Sequence, residues 1–224
     1  MSALSSLKVP GVILAAGEAK RFQTVSKLAS LQVRKCQKRA NKLLLPFRGK
    51  PVIYHTLNEM LNSQLEPVLL VLGYECERVI EAIGELKHHP KLQIVFNGQW
   101  ASGRASSVRA AIEQFPEDAP GAVFLPGDMP LMKSSLLDLV ANTFRETQKL
   151  CFPLYKSEKG HPVAFPKALL SELAGLSGDV SGFELIKTHW DEAMKLPLDD
   201  ESTQFDLDTF DDYEHLLELE RRLC

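Results

Sequence analysis

The sequence predicts an α/β protein in which a mostly parallel sheet carries helices on both of its faces. Apolar runs of about five residues recur along the chain, and such runs are typical of strands buried on both sides. Between them lie amphipathic stretches with apolar residues at helical spacing. The links between the two kinds of segment are short, which favours alternating strands and helices arranged in three layers.

The individual elements follow from these patterns in chain order. Apolar or extended runs predict strands at 12–16, 67–72, 92–96, 122–126, 150–155, 162–165 and 194–198. Apolar stripes and start signals predict helices from Pro51, through 79–86, from a cap at Ser106 or Ser107, at 134–147, 168–173 and 182–188, and from 209 towards the C-terminus. The sequence contains no repeat and no linker, so it predicts a single domain over residues 1–224.

The bulk composition is that of an ordinary globular protein. The chain has 224 residues, 45% hydrophobic and 25% charged, which is enough for a full core. The four cysteines (Cys36, Cys76, Cys151 and Cys224) are scattered, so we expect reduced thiols rather than disulfides or a zinc site. No apolar run approaches the ~20 residues of a membrane span, and residues 1–7 lack the positive charge of a signal peptide. We therefore expect a cytoplasmic protein that does not bind membranes.

The charge is distributed very unevenly. Ten of the 26 basic residues lie between Ala19 and Asn58, where there is no acidic residue at all. The rest of the chain carries 16 basic residues against 29 acidic ones. The basic segment is typical of one that meets polyanions, but the acidic remainder argues against nucleic acid as a partner. A small triphosphate fits this distribution better.

The first apolar run ends in a stretch suited to phosphates. Residues 12–16 are closed by Gly17, and the cations Lys20, Arg21 and Lys42 follow. Free backbone N–H groups at a strand end, together with such cations, can form a phosphate cradle. The alternative is a buried strand followed by a solvated basic loop, and the charge distribution favours the cradle.

Two aspartates are candidate metal ligands. Asp128 directly follows a predicted strand, and Asp208 precedes the last predicted helix. Two carboxylates with phosphate oxygens form a typical site for Mg²⁺, or for Mn²⁺. Asp208 could instead cap the helix. Because ligands of parallel sheets bind at the carboxyl ends of strands, we expect Gly17, Asn97, Asp128 and Asp208 to cluster.

Other polar and aromatic residues have two interpretations each. His161, in a predicted loop, could contact an acceptor substrate or make a structural hydrogen bond. Trp100 and the pair Ser106 and Ser107 could flank a nucleotide, or could pack and cap.

Several catalytic classes lack their signatures in this sequence. There is no G-x-S-x-G, no H-E-x-x-H and no Cys–His nucleophile pattern. Residues 17–22 are not a G-x-G-x-x-G loop, and Lys42 is not followed by the Ser or Thr of a P-loop. What remains is metal-assisted chemistry at a phosphate.

The ordered set of short motifs resembles the MobA-like nucleotidyltransferases, and within them the molybdenum cofactor cytidylyltransferases. The motifs occur in family order across nearly the whole chain. They are Leu14-Ala15-Ala16-Gly17, Arg21-Phe22, Lys42-Leu43-Leu44-Leu45-Pro46, Gly49-Lys50-Pro51-Val52, Asn97-Gly98-Gln99-Trp100, Gly103-Arg104-Ala105-Ser106-Ser107, Gly127-Asp128-Met129-Pro130, Gly160-His161-Pro162-Val163, Gly178-Asp179 and Asp206-Leu207-Asp208-Thr209.

The resemblance implies a Rossmann-like three-layer fold and transfer of CMP from CTP to a phosphate acceptor, molybdopterin, with release of pyrophosphate. Arg21 and Lys42 would neutralise the triphosphate, and Asp128 and Asp208 would hold Mg²⁺ or Mn²⁺. Trp100 and His161 are the candidate acceptor contacts. The implied nucleotide-binding residues are Leu14, Ala15, Ala16, Gly17, Arg21, Lys42, Asn97, Ser106 and Ser107. Ala16 and the Gly-His-Pro-Val segment resemble the cytidylyl-transferring members, since the guanylyl-transferring ones have Gly at the position of Ala16.

The phosphate loop departs from the family pattern. Glu18, Ala19 and Gln23 replace the usual residues, and 20 residues separate Arg21 from Lys42 where the family has four. The basic insert, at about 24–40, is expected to be a mobile loop that either closes over the triphosphate or is a solvated excursion. These departures leave two alternatives to the cytidylyltransferase: transfer to a sugar or polyol phosphate, and a non-catalytic protein that binds the nucleotide or cofactor for a client molybdoenzyme.

Overall fold

The computed structural model describes residues 8–18, 22, 41–178 and 182–223. The predicted site residue Arg21, with Lys20, Ala19, Gln23 and the insert at 24–40, lies outside the described residues.

The main sheet carries the motifs named above at its strand ends. Its strands are β1 (Gly11–Ala15), β4 (Val68–Leu72), β5 (Leu92–Phe96), β6 (Gly121–Pro126), β7 (Cys151–Tyr155), β8 (Glu158–Lys159), β9 (Val163–Pro166) and β10 (Met194–Pro197), and a separate short ribbon pairs β2 (Pro46–Phe47) with β3 (Lys50–Pro51). The order in the sheet is β10-β7-β9-β6-β1-β4-β5, with β8 on β7. Strands β6, β1, β4 and β5 run parallel, as predicted.

Two strands of the main sheet, β8 and β9, run against the others. β9 pairs antiparallel with both β6 and β7, and β8 folds back on β7. The turn between β7 and β8 consists of Lys156 and Ser157, both at positive φ (50° and 67°). Two such residues give the twist that suits a two-residue hairpin. The expected α/β class with a mostly parallel sheet is confirmed, and the sheet is mixed because β8 and β9 are antiparallel.

The helices cover both faces of the sheet. They are α1 (Val52–Asn62), α2 (Cys76–Ala82), α3 (Arg104–Ile112), α4 (Ser134–Thr147), α5 (Lys167–Gly175), α6 (Phe183–Thr188) and α7 (Phe210–Leu223). Short 3₁₀ turns lie at Lys42–Leu44, Gly84–His88, Trp100–Ser102 and Glu201–Thr203. The predicted helix through 79–86 is interrupted, because Gly84 takes positive φ (55°). The prediction that Ser106 or Ser107 caps a helix is wrong: both lie inside α3, and Gly103 precedes it.

Alternate residues of the central strands supply the two main cores. In β4, Leu70 faces one core and Leu69 the other, as the two-residue period of a strand requires. The first core includes apolar residues of α1 and α4, and the second includes those of α3 and α5. The sheet is therefore rigid between its two helical layers.

A third apolar cluster fixes the last helix beside the first loop. Phe22 stacks on Phe210 with ring centroids 4.2 Å apart, and both side chains are buried. The Tyr213 hydroxyl donates to the Pro46 carbonyl oxygen (2.7 Å). The segment that carries Asp208 is thereby held against the segment that carries Lys42. No helix in the described ranges is long and apolar enough to cross a membrane.

The pairing of β6 with β9 gives a stability prediction. A Cβ at Gly121 would lie 2.2 Å from the Phe165 carbonyl oxygen, so Gly121→Ala requires the two strands to shift. We expect a loss of about 1–3 kcal/mol in the free energy of unfolding, measured in urea. Gly175→Ala is the matched control, since nothing lies within 4 Å of its added Cβ. Equal urea midpoints for the two variants would contradict the prediction.

Candidate active site

A cleft of about 710 Å³ opens where the carboxyl ends of β1 and β6 meet the α3 and α7 segments. This is the edge at which open α/β sheets bind their ligands. The cleft is lined by the β1 end, by Lys42, by Asp128 and Asp208, and by residues of α3, β9, α5 and α6. Of the four residues predicted to cluster, Gly17, Asp128 and Asp208 line this cleft, whereas Asn97 does not.

Lys42 lies at the centre of this cleft. The Asn41 side chain accepts a hydrogen bond from the Leu43 amide (3.1 Å), which caps the short turn that presents Lys42. The Lys42 ammonium forms ion pairs with Asp128 and with Asp208 (Nζ to Oδ1, 3.1 Å). Burial lowers the pKa of Lys42, but the ion pairs with both carboxylates outweigh burial and leave that pKa above its ordinary value.

Close packing positions Asp128. The Gly127 amide donates to the Leu14 carbonyl oxygen (3.0 Å), which ties the end of β6 to β1. A Cβ at Gly127 would lie 3.1 Å from both Ala15 and Ile53, so the position favours glycine. Asp128 is buried, with 7% of its surface exposed.

Asp208 is held by the start of the last helix without capping it. The Leu207 amide donates to the Asp128 carbonyl oxygen (3.2 Å). Thr209 caps α7, since its hydroxyl accepts from the Asp212 amide (3.2 Å) while the Asp212 carboxylate accepts from the Thr209 amide (2.6 Å). The alternative in which Asp208 caps the helix is therefore not supported.

A third carboxylate joins the pair. Asp128, Asp206 and Asp208 each offer an oxygen, and the three oxygens lie within 4.8 Å of one another. Burial, followed by the charges of Asp128 and Asp208, raises the pKa of Asp206 to about 6, although Lys42 opposes this. Asp206 was not predicted as a ligand. The spacing Asp206-Leu207-Asp208 could have indicated this ligand, because alternate residues of an extended segment lie on the same face.

The three carboxylates fit a divalent cation. Clustered carboxylate oxygens are the ligands that Mg²⁺ and Mn²⁺ prefer. The Lys42 ammonium already lies in ion-pair contact with two of them, which shows that the position attracts positive charge.

The predicted phosphate loop lines the same cleft. Leu14, Ala15, Ala16 and Gly17 are all on its surface, and Glu18 lies beside them. The Ala16 carbonyl oxygen accepts from the Tyr74 amide (3.0 Å), which fixes the strand end. Nothing lies within 4 Å of a Cβ added at Gly17, so its backbone is open to the cleft.

Asn97, Ser106 and Ser107 form one buried group. The Asn97 amide nitrogen donates to the hydroxyls of Ser106 (2.8 Å) and Ser107 (3.0 Å). Of the three, Ser107 lines the cleft. Asn97 and Ser106 instead support the loop at 97–103: Asn97 accepts from the Gln99 amide, and the Ser106 hydroxyl lies within hydrogen-bond distance of the Gln99 and Gly103 carbonyl oxygens. That these residues contact a nucleotide stays a prediction.

The two candidate acceptor contacts lie on separate walls of the cleft. Trp100 packs over Gly73, where an added Cβ would be 2.5 Å from the Trp100 Cβ, and its ring contacts Tyr74. His161 follows β8, and its amide donates to the Thr203 carbonyl oxygen (2.7 Å). Both residues line the cleft.

Known proteins resemble this chain in sequence. A probable molybdenum cofactor guanylyltransferase from Thermococcus sibiricus is 29% identical over 149 residues, which is 66% of this chain and 62% of that protein. A nicotine blue oxidoreductase from Paenarthrobacter nicotinovorans is 26% identical over 217 residues, 93% of this chain and 96% of that protein. The match to the bifunctional protein GlmU of Kineococcus radiotolerans spans 23% of that protein. The chain thus spans less than two thirds of the guanylyltransferase and of GlmU.

Solved structures share the fold over nearly the whole chain. The crystal structure of Rv0371c from Mycobacterium tuberculosis H37Rv has a TM-score of 0.77 at 27% identity and covers 95% of this chain and 99% of its own. A structure of Rv0371c in complex with manganese has a TM-score of 0.73 at 25% identity, with 95% of this chain and 98% of that one covered. The family model of the MobA-like NTP transferase domain matches residues 11–193. This chain therefore belongs to the MobA-like NTP transferase family.

Proposed function

We propose that this protein transfers CMP from CTP to a phosphorylated acceptor, molybdopterin, and releases pyrophosphate. The observation that carries the proposal is the contact of Lys42 with Asp128 and Asp208 directly beside the open strand end at Gly17. Cation-holding carboxylates and a lysine next to free backbone amides are the groups that nucleotidyl transfer requires.

The reaction balances without a covalent enzyme intermediate. An oxygen of the acceptor's phosphate attacks the α-phosphorus of CTP. The bond between the α-phosphorus and the oxygen that bridges the α- and β-phosphates breaks, and pyrophosphate leaves. The protein's contribution is then to position the two substrates and to stabilise negative charge. Lys42 would neutralise the triphosphate, and Arg21 is proposed as the second cation from its place in the family motif.

Asp128 and Asp208, with Asp206 beside them, are proposed to hold Mg²⁺ or Mn²⁺. When bound, the cation would stabilise the charge that develops on the phosphate oxygens. The manganese complex named for Rv0371c supports a divalent cation in this fold.

CTP is proposed as the nucleotide because of Ala16. Ala16 directly follows β1, is almost fully buried and lines the cleft, where its methyl group would narrow the space for a purine. The guanylyltransferase name of one relative points to GTP instead, so the base has to be tested on this chain.

The alternatives differ in acceptor and in catalysis. The same sheet and carboxylates could serve a sugar or polyol phosphate, because folds of this kind host many acceptors. A non-catalytic protein that hands nucleotide or cofactor to a client molybdoenzyme is supported by Glu18, an acidic residue that lines the cleft next to Gly17, where the triphosphate is expected. The oxidoreductase relative suggests electron transfer, but three carboxylates and a lysine suit a cation and phosphates, so we favour group transfer.

Pyrophosphate release distinguishes these functions. The purified chain is incubated with each of the four nucleoside triphosphates and with molybdopterin, sugar 1-phosphates or polyol phosphates. We expect release with CTP and molybdopterin. Release only with another acceptor would select the first alternative, and tight nucleotide binding without release would select the second.

The first prediction concerns the cation. Asp128→Asn should weaken Mn²⁺ binding, measured by electron paramagnetic resonance, and should lower pyrophosphate release by orders of magnitude, because a charge next to the transition state is worth several kcal/mol. Asp118→Asn, an exposed position, is the control. Wild-type Mn²⁺ affinity and turnover in a folded Asp128→Asn variant would refute the metal assignment.

The second prediction concerns the base. Wild-type protein should prefer CTP over GTP in kcat/KM, and Ala16→Gly should reduce that preference. One methyl group is worth about 1–3 kcal/mol, so the change should be roughly tenfold or more. Ala101→Gly, which also lies on the cleft, controls for general loosening. Equal use of CTP and GTP by the wild type would contradict the role of Ala16.

A further inference from the structure

The far wall of the cleft carries a second group of positive charges, separate from Lys42. Lys159 lies at the end of β8, and Arg104 begins α3; both line the cleft. His161 lies close enough to both cations for their charges to act on its ring. Neither Lys159 nor Arg104 is part of the functional assignment made above.

Among the residues that the structure describes, Lys159 has no carboxylate partner of the kind that a partly buried ammonium normally has. Within the described residues, no carboxylate lies within the 4.0 Å of an ion pair with its Nζ. Burial lowers the pKa of Lys159 to about 8, and the more distant charge of Asp206 offsets this only in part. Holding an unpaired cation away from water is unfavourable, and an anion that arrives with a ligand would remove that penalty.

His161 holds this ammonium in place. The Lys159 Nζ lies 3.2 Å from His161 Nε2. An ammonium can only donate, so Nε2 is the acceptor and the ring proton is on Nδ1. Nδ1 is buried and has no hydrogen-bond partner in the part of the chain that the structure describes. Burial, and then the charges of Lys159 and Arg104, lower the pKa of His161 well below its usual value and keep the ring neutral. Two of the three N–H groups of Lys159 remain for a ligand.

The backbone below this pair is tightly packed. The Gly160 amide donates to the Pro153 carbonyl oxygen (2.8 Å), and a Cβ at Gly160 would lie 2.8 Å from Thr203. Thr203 ends the turn that leads into Asp206 and Asp208. The segment that carries Lys159 therefore packs against the turn that leads into the carboxylate cluster.

The adjoining part of the cleft is apolar. Leu173 comes from α5, Leu176 follows that helix, and Phe183 and Ile186 come from α6. Such side chains cannot satisfy the hydroxyl groups of a sugar, but they can contact a flat ring. The ligand that fits both features has an anionic group attached to a ring-containing, largely apolar body.

We propose that Lys159, positioned by His161 and assisted by Arg104, binds the phosphate of the acceptor and so places it beside the carboxylate cluster. The ring of that acceptor lies on the apolar wall formed by α5 and α6. The proposal rests on nucleotidyl transfer for the identity of the ligand, but binding at Lys159 can be measured without any transfer.

Phenyl phosphate is a suitable probe, since it carries a phosphate on an apolar ring. Its binding is measured calorimetrically with Mg²⁺ and a non-hydrolysable αβ-methylene analogue of CTP present, so that the analogue fills the Lys42 end of the cleft. Lys159→Gln should weaken phenyl phosphate binding about tenfold or more, as expected for the loss of charge-assisted hydrogen bonds. Lys156→Gln, an exposed lysine of the same hairpin, should change nothing. Affinity for the CTP analogue should be the same in all variants.

His161 is tested as a positioning residue. His161→Leu should raise the KM for the acceptor more than it lowers kcat, and His161→Gln, which keeps an acceptor for the ammonium, should restore part of the affinity. If Lys159→Gln does not fold, Lys159→Arg and Arg104→Gln replace it; the first should retain phosphate binding and the second should weaken it.

The outcomes separate this proposal from the proposed function. Unchanged phenyl phosphate affinity in folded Lys159→Gln, or an equal loss in Lys156→Gln, overturns the assignment of Lys159 even if the protein transfers CMP. A selective loss in Lys159→Gln supports the assignment even if no transfer is found.

Discussion

The ion pairs of Lys42 with Asp128 and Asp208 are the contacts on which the arrangement of the cleft depends. They join three distant parts of the chain: the turn after the first loop, the end of a central strand, and the segment before the last helix. Without the ammonium, three carboxylates whose oxygens lie within 4.8 Å would repel one another. The third apolar cluster contains Leu45 and Phe47 together with Leu207 and Phe210, and it brings two of these segments together independently of charge.

These ion pairs also constrain how the site can work. Two of the three N–H groups of Lys42 are needed for Asp128 and Asp208, so that one is left for a triphosphate while both ion pairs persist. In the proposed reaction, Lys42 becomes available to the phosphates once another cation neutralises Asp128 and Asp208. A bound cation would free Lys42 from the carboxylates for the phosphates, and bound phosphates would offer the cation further oxygen ligands. Each ligand would therefore raise the affinity of the other.

The sequence predicted the elements well where a single residue pattern decides the structure. The run at 92–96 and the helix at 134–147 have the predicted bounds, because each is set by local periodicity and by clear ends. The strand at 162–165 was predicted, but its antiparallel direction was not, because that direction depends on the turn at Lys156 and Ser157, which lacks the usual Asn-Gly signal. The proposed roles of Asp206 and Lys159 were not predicted, because each role depends on the charged residues that surround the side chain in the folded protein. A lone acid or lysine in the sequence carries no sign of the charges that tertiary structure places around it.

Fold and family alone leave the substrate open, and the names of the relatives make this clear. A guanylyltransferase, an oxidoreductase and the bifunctional GlmU proteins all resemble this chain, so shared architecture carries different chemistry. The differences must therefore arise where the cleft meets the base and the acceptor. The residues proposed for these positions, Ala16 with Glu18 for the nucleotide and Lys159 with His161 for the acceptor, all line the cleft. Ala16 is proposed to act by shape and Lys159 by charge, and the two lie on different elements. Selection of the nucleotide and of the acceptor can thus change independently while the carboxylates and Lys42 stay the same.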